Sequence, residues 1–508
     1  VSATEQNQEV PPPEVVAAVD LGSNSFHLVV ARRIDAEHIS IVERRKEQVR
    51  LAAGLDHNEC IDDETAMRAL ECLQVFGQQV KALPSLAVRA VGTNTLRRAK
   101  NGRAFLDSAG RALGHPIQII SGVEEARLIY LGVAHTVPDA GKRLVVDIGG
   151  GSTECILGEG FEVFRADSLF MGCVTWSLGF FPDGNISAKR MESAELAALQ
   201  EVATIARPFR RRGWQKALGS SGTAESIEAI LRANGKTTEG ITAAGLDWLK
   251  DALIDARRVS KFELPGVKSD RRDVLPGGVA ILRALFEGLE IDRMSTSSGA
   301  LREGLLYDLL GRIRHEDRRE QTIRRFQERF HVDQDQAQRV ESTARALFAD
   351  FSKALSPESV SEDTTLLGFA ARLHEIGLAI SHTGYHKHGA YLLRYADMPG
   401  FTRDDQEMLS AIVGGHRRKL ISASLKAFGE PRAARVLALT LALRLAALLH
   451  RSRGGIDVPP ANVHVALHHS QIRIAFPSGW LDEHPLTRTD LETEKVLLEK
   501  TGLHLEVL

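Results

Sequence analysis

Cysteine is scarce in this chain of 508 residues, with four in all, and the scarcity is informative. Cys60, Cys72, Cys155 and Cys173 are scattered, without a CxxC pair or metal-ligand spacing, so they staple no small scaffold and build no thiolate metal centre. They read as reduced thiols of a reducing compartment. Long apolar runs are missing too. None reaches the roughly 18–20 residues of a membrane span, which excludes integral membrane association. Val1 to Pro13 lacks the basic start and apolar stretch of a secretion signal and closes on three prolines, so residues 1–14 are expected to be a disordered leader and the cytoplasm the location. Charge of either sign is not in excess. The formal net charge is -2, so the molecule as a whole draws in no polyanion from a distance and does not read as a nucleic-acid binder.

What is present is the composition of a globular protein, 43% hydrophobic and 26% charged, in a chain too long for one core. Val15 to Leu21 is a compact apolar run ending in an Asp-Leu-Gly-Ser turn. Phe26 to Ala31 and Ile39 to Val42 read as further strands, then Asp62 to Ala82 as an amphipathic helix. Leu86 to Val91 and Pro116 to Ile120 read as strands, Arg103 to Leu113 and Val123 to Ala134 as helices. A second unit opens the same way, with Arg143 to Val146 running into an Asp-Ile-Gly-Gly-Gly-Ser turn. A motif repeated a domain apart predicts a duplicated α/β fold with a cleft between the copies. Beyond about Gly311 the pattern turns helical, with a polar break at Ser356 to Asp363, and the end alternates like strands at Val463 to Leu467 and Gln471 to Phe476. The expected domains are 15–135 and 136–311, a helical domain over 312–460, and a small α+β domain over 461–508.

Three turns carry the chemistry. In the first, Gly22 lets the backbone turn tightly while its amides and the polar groups of Ser23, Asn24 and Ser25 point at phosphate oxygens; Asp20 is placed to hold a metal or orient its waters. The second offers the same devices in Asp147, Gly149, Gly150, Gly151, Ser152, Thr153 and Glu154. The third, Gly219-Ser220-Ser221-Gly222-Thr223, opens a helix whose free amides favour an anion. Local basic clusters stand at Arg44 to Lys46, Arg97-Arg98, Arg210 to Arg212 and Arg417 to Lys419, and the last two are candidates for guiding a long polyanion.

These three turns resemble the phosphate-1, phosphate-2 and adenosine motifs of the actin, hexokinase and chaperone-ATPase superfamily. With Gly92 to Arg97, Ile120 to Arg127, Met171 to Val174 and Gly299 to Gly304, all in family order, the chain resembles the exopolyphosphatase and guanosine pentaphosphatase family in its long, four-domain bacterial form. The resemblance implies duplicated actin-like (ribonuclease H-like) domains, an HD-like helical domain and a phosphoanhydride hydrolase. Glu124, at a helix start after a Ser-Gly turn, is the expected general base, and the resemblance supports it. Asp147 and Glu154, with Asp20 as a third carboxylate, are expected to hold Mg²⁺, a hard ion suited to oxygen ligands. Thr93 and Arg97 are expected to add phosphate contacts. Relatives imply a monovalent cation such as K⁺ and a homodimer.

His374-Glu375, His386 and His388 resemble the HD-type phosphohydrolase motif, but Glu375 stands where that fold uses aspartate and no earlier histidine supplies its first ligand, so a structural domain is expected. The leading expectation is an exopolyphosphatase releasing orthophosphate from inorganic polyphosphate, to which Gly151 leans because pentaphosphatase relatives can carry alanine there. The alternatives are a guanosine pentaphosphate 5′-phosphohydrolase using the same site, a sugar or carboxylate kinase, and a non-enzymatic ATP-binding switch or filament protein.

Overall fold

The computed structural model describes residues 13–34, 39–137, 141–313, 317–355, 357–420, 425, 427–453, 464–468 and 471–508. Apart from Pro13 and Glu14, the expected leader lies outside them. Two compact units divide the chain, Val1–Asp317 and Arg318–Leu508.

The first unit is built twice over on one plan. Its first sheet orders β3-β2-β1-β4-β5, from β1 (Val15–Leu21), β2 (Phe26–Arg33), β3 (Ile39–Glu47), β4 (Val88–Gly92) and β5 (Ile117–Ile119). Its second sheet orders β10-β11-β9-β6-β7-β8, from β6 (Lys142–Ile148), β7 (Thr153–Glu159), β8 (Glu162–Leu169), β9 (Lys216–Gly219), β10 (Ile241–Thr242) and β11 (Arg293–Thr296). In each, three antiparallel strands lead and two parallel strands follow on the other side of the first. β10 is an added edge strand. Both central strands are buried almost throughout, which is why they read as apolar runs rather than alternating ones.

Helices cover the outer face of each sheet, and two more fill the space between the sheets. The helices Gly122–Thr136 and Leu301–Ile313 share one core with Val16, Ala18 and Val91 of the first sheet and Val145, Ile156 and Leu218 of the second. They cross closely enough to need glycine. A Cβ on Gly304 would stand 1.8 Å from the Leu128 carbonyl oxygen, and one on Gly132 would stand 2.1 Å from that of Ala300. The Gly299 to Gly304 motif is therefore a packing motif in part, and the last helix of the unit packs on elements of its first half.

In the second unit, helices including Gln334–Phe351, Pro357–Leu373, Arg403–Gly415 and Arg432–Leu449 enclose one core. Ile472 and Ile474 of β13 (Gln471–Ala475) and Leu505 of β14 (His504–Val507) belong to that same core, so the residues expected as a separate C-terminal domain share their interior with the helices. β13 also pairs with β12 (His464–His468); Val463 lies outside the described residues. The expected polar break is instead the exposed start of the Pro357–Leu373 helix, with Ser356 outside the described residues.

Candidate active site

Asp20 and Asp147 occupy matching places near the ends of β1 and β6, and the turns that follow them touch. A Cβ on Gly150 would lie 2.9 Å from Ser23 Cβ and 3.2 Å from the Asn24 amide nitrogen; on Gly151 it would lie 2.6 Å from Asn94 Oδ1. The second turn is backed by the Met171 to Val174 segment, whose Cys173 and Val174 amides donate to the carbonyls of Gly149 and Gly150 at 2.9 and 3.0 Å. Thr95 Oγ1 donates to Ser23 Oγ at 2.8 Å, tying the first turn to the short helix Asn94–Arg98.

Four carboxylates meet around these turns. Asp147 and Glu154 face each other as cross-strand partners on β6 and β7. Asp20 comes from β1, and Glu125 from the first turn of the Gly122–Thr136 helix. Burial is the main cause that raises Asp20 to about 7, and Glu125, Asp147 and Glu303 add to it against the opposing pull of Arg302. Burial likewise raises Asp147 to about 6 with help from Glu125, and lifts Glu154 well above the carboxylate range with Glu125 and Asp147 behind it. Arg97 and Arg302 offset only part of the charge that acids so placed carry when ionised. Asp20 Oδ1 is buried without a hydrogen-bond partner. The donor set thus fits a hard divalent cation, although among the described residues no group of three or more His, Cys, Asp or Glu side chains is arranged to hold a metal by itself. That suits magnesium, which takes one or two carboxylates and keeps its remaining contacts for water and phosphate.

The structure corrects the expected base. Glu124 is fully buried and turned away from the carboxylate group: Arg127 Nε and Nη2 donate to its two oxygens at 2.8 Å each, and Arg89 stands 3.6 Å off. Arg127 and Arg89 also pair with Asp308 of the last helix, and Arg312 joins at 3.0 Å. Glu125, one residue on, faces the acids. A helical clue was available, since Arg127 and Leu128 lie three and four residues beyond Glu124 and share its face.

Other expected phosphate contacts prove to be internal. The Thr153 hydroxyl, fully buried, donates to the Met171 carbonyl at 2.6 Å. Ser220 Oγ donates to Asp147 Oδ2 at 2.7 Å, so it orients that carboxylate. Ser221 Oγ caps its helix by accepting from the Ala224 amide at 3.3 Å, and Thr223 Oγ1 donates to the Ile148 carbonyl at 3.0 Å. Gly219 packs against Ala224, and Gly222 has Arg271 at its α-carbon. Arg97 Nη1 donates to Glu125 Oε2 at 2.8 Å and to the Ile120 carbonyl at 2.9 Å, so it steadies Glu125. Gly22, Asn24, Ser25 and Ser152 stay at the two turns, and Thr93 stands at the start of the Asn94–Arg98 helix; apart from Gly22, which is partly open, all are buried. Glu125, Ser168 (which donates to Glu154 at 2.8 Å) and Arg302 were not foreseen.

Family models decide the kinship. Residues 29–313 match the Ppx/GppA phosphatase family and 318–495 match domain III of the Ppx/GppA phosphatases. The chain belongs to the Ppx/GppA phosphatase family. Among Ppx/GppA relatives, a guanosine-5′-triphosphate,3′-diphosphate pyrophosphatase of Vibrio vulnificus is 40% identical over 94% of this chain and 95% of its own. One of Pseudoalteromonas atlantica is 40% identical over 97% of each. The Aquifex aeolicus PPX-GPPA enzyme aligns with a TM-score of 0.50 at 26% identity over 58% of this chain and 99% of its own. An exopolyphosphatase from Cytophaga hutchinsonii, at 21% identity with a TM-score of 0.52 over 58% and 97%, shares the fold. The phosphatase unit is thus the first compact unit of this chain.

The second unit holds the histidines of the expected HD-like motif. His374 Nδ1 bonds the Ala371 carbonyl at 2.7 Å and His416 Nδ1 that of Val413 at 2.5 Å, with their rings 5.5 Å apart; His386 lies 6.2 Å from His416. Glu375 is engaged by Arg453 at 2.6 Å. No helix of the described residues is long and apolar enough to cross a membrane.

Proposed function

We propose that this phosphatase hydrolyses the terminal phosphoanhydride of the 5′-triphosphate of guanosine pentaphosphate, releasing orthophosphate. The observation that carries the choice of substrate is the near full-length similarity, at 40% identity, to relatives named for that nucleotide. Gly151 does not argue for polyphosphate, because a Cβ there would meet Asn94 Oδ1 at 2.6 Å.

In this mechanism the turns at Gly22 and at Gly149 to Gly151 cradle the terminal phosphates with backbone amides. Asp147 and Glu154, with Asp20 as a third carboxylate, would hold Mg²⁺, which would supply charge neutralisation at the phosphate oxygens. Ser220 and Ser168 fix the two acids by donating to them. Glu125, braced by Arg97, takes a proton from the attacking water, the general-base role first expected of Glu124. Positioning and charge supply most of the acceleration in such transfers.

Phosphate release from purified protein tests the choice. Guanosine pentaphosphate should be turned over with a kcat/KM at least tenfold above that for long-chain polyphosphate, with the 5′-diphosphate nucleotide as product, and ATP should be poorer than either. The opposite ranking of the first two would return the assignment to exopolyphosphatase.

A further inference from the structure

The strand plan of the phosphatase unit repeats, and the repeat breaks at one pair. On β6 and β7 the facing residues are two acids, Asp147 and Glu154. On β1 and β2 the corresponding pair is Asp20 and His27. Facing residues on one side of an antiparallel pair have side chains about 5 Å apart, so His27 stands where the other half puts its second carboxylate.

His27 is a neutral ring, since burial first, and then Arg302, Lys46 and Arg271, hold it well below the imidazole range. A neutral imidazole keeps one lone pair as an acceptor. Nδ1 receives Arg302, whose Nη1 lies at 2.8 Å. Arg302 stands in the first turn of the Leu301–Ile313 helix, and its Nε is buried without a hydrogen-bond partner. Glu303 is shared between Arg302 and Arg44, so one carboxylate offsets two guanidinium groups. Its Oε2 is 3.9 Å from Arg302 Nε and accepts from the Ala300 amide at 2.9 Å, while its Oε1 pairs with Arg44 at 2.6 Å. The positive charge left over from that sharing acts on Asp20, which faces His27 across the strands, and on Asp147.

We propose that Arg302, held by His27, is a resident counter-charge that keeps the carboxylate floor weak for free divalent metal, so that the metal arrives and departs with the substrate's phosphates. This rests on the magnesium-dependent phosphatase reading of the same site. Calcium and magnesium sites gain affinity with each added carboxylate charge. Four acids with Arg97 alone beside them would trap a divalent ion and hold it after the product leaves. A guanidinium held on the residue that faces Asp20 opposes that binding; even at about 10 Å and the effective dielectric of a protein site the factor is roughly ten. Arg302 is thus a positioning residue that acts through Asp20 and Asp147.

The test is a titration of the full chain with Mn²⁺, free ion followed by electron paramagnetic resonance, with no nucleotide present. Arg302→Gln should bind Mn²⁺ at least tenfold more tightly than the unsubstituted protein, and Arg302→Lys, which keeps the charge, should stay within threefold of it. His27→Leu should shift toward the Arg302→Gln value, and His27→Asn, which restores an acceptor near the Nδ1 position, should reverse most of that shift. Equal or weaker Mn²⁺ binding in folded Arg302→Gln overturns the proposal. Should that variant not fold, His27→Leu decides by the same criterion. Asp147→Asn separates the two layers: if it leaves Mn²⁺ binding intact, the metal does not sit on these acids, and the underlying assignment fails together with the role of Arg302.

Discussion

Substituting the two neighbouring glutamates one at a time separates stability from catalysis. Glu124 is fully buried, its oxygens each accept from Arg127 at 2.8 Å, and Arg89 lies 3.6 Å away. Glu124→Gln removes one negative charge from a buried group in which Arg89, Arg127 and Arg312 also pair with Asp308. Breaking a buried ion pair from one side costs about 3–5 kcal/mol. Glutamine retains one acceptor oxygen, which favours the lower end, about 3 kcal/mol. For a unit of this size that lowers Tm by roughly 6 °C. Glu125→Gln should behave in the opposite way. Glu125 keeps one arginine, Arg97, and adds to the mutual repulsion of Asp20, Asp147 and Glu154. Neutralising it should leave Tm unchanged or raise it slightly, while losing a general base should lower kcat by about a thousandfold. Thermal melts and phosphate release on the same preparations give both readouts. An inactive Glu124→Gln protein with an undisturbed melt, beside an active Glu125→Gln protein, would refute the assignment.

Further outcomes are expected. Asp20 and Asp147 hold their protons more tightly folded than unfolded, at about 7 and about 6 against 3.8, so the metal-free protein is most stable below pH 4 in this respect and loses that stability as pH rises through 6 and 7. The full loss is on the order of 4 kcal/mol for Asp20 alone, of which about 2–3 kcal/mol falls between pH 5 and pH 8; melts at those two pH values in chelator should show it. Ser220→Ala removes the donor on Asp147 and should raise the Mg²⁺ concentration needed for half-maximal rate several-fold, with a stability loss near 1 kcal/mol; an unchanged magnesium dependence would show that Ser220 does not orient Asp147. Gly304→Val should destabilise by about 3 kcal/mol or more in urea unfolding, because its Cβ would meet the Leu128 carbonyl.

Much of the fold was legible because the chain punctuates its buried strands sharply. Val15 to Leu21 and Arg143 to Val146 are apolar runs closed by Asp-x-Gly turns, and the repeat of that sign at the right distance announced two halves. The carboxylates Asp20, Asp147 and Glu154 were marked by the same turns. What stayed hidden depends on partners far along the chain. Nothing near Glu124 reveals Asp308, 181 residues beyond Arg127, as the acid that completes its buried ion group. Ser220 reads as a phosphate ligand until Asp147 is found 73 residues before it. The polar stretch after Ser356 resembled a break because its helix opens on solvent, yet its Asp363 is buried against Arg435, 72 residues on.

The return of the Leu301–Ile313 helix to the first half has a consequence for synthesis. Leu305, Leu306, Leu309 and Leu310 close a core that also holds Val16, Ala18 and Val91. As the nascent chain leaves the ribosome, the opening sheet keeps part of its inner surface bare while nearly two hundred further residues are translated, roughly ten to forty seconds at usual elongation rates. During that interval the early half depends on chaperone cover or on provisional contacts, and a chain terminated before residue 301 exposes the same surface permanently.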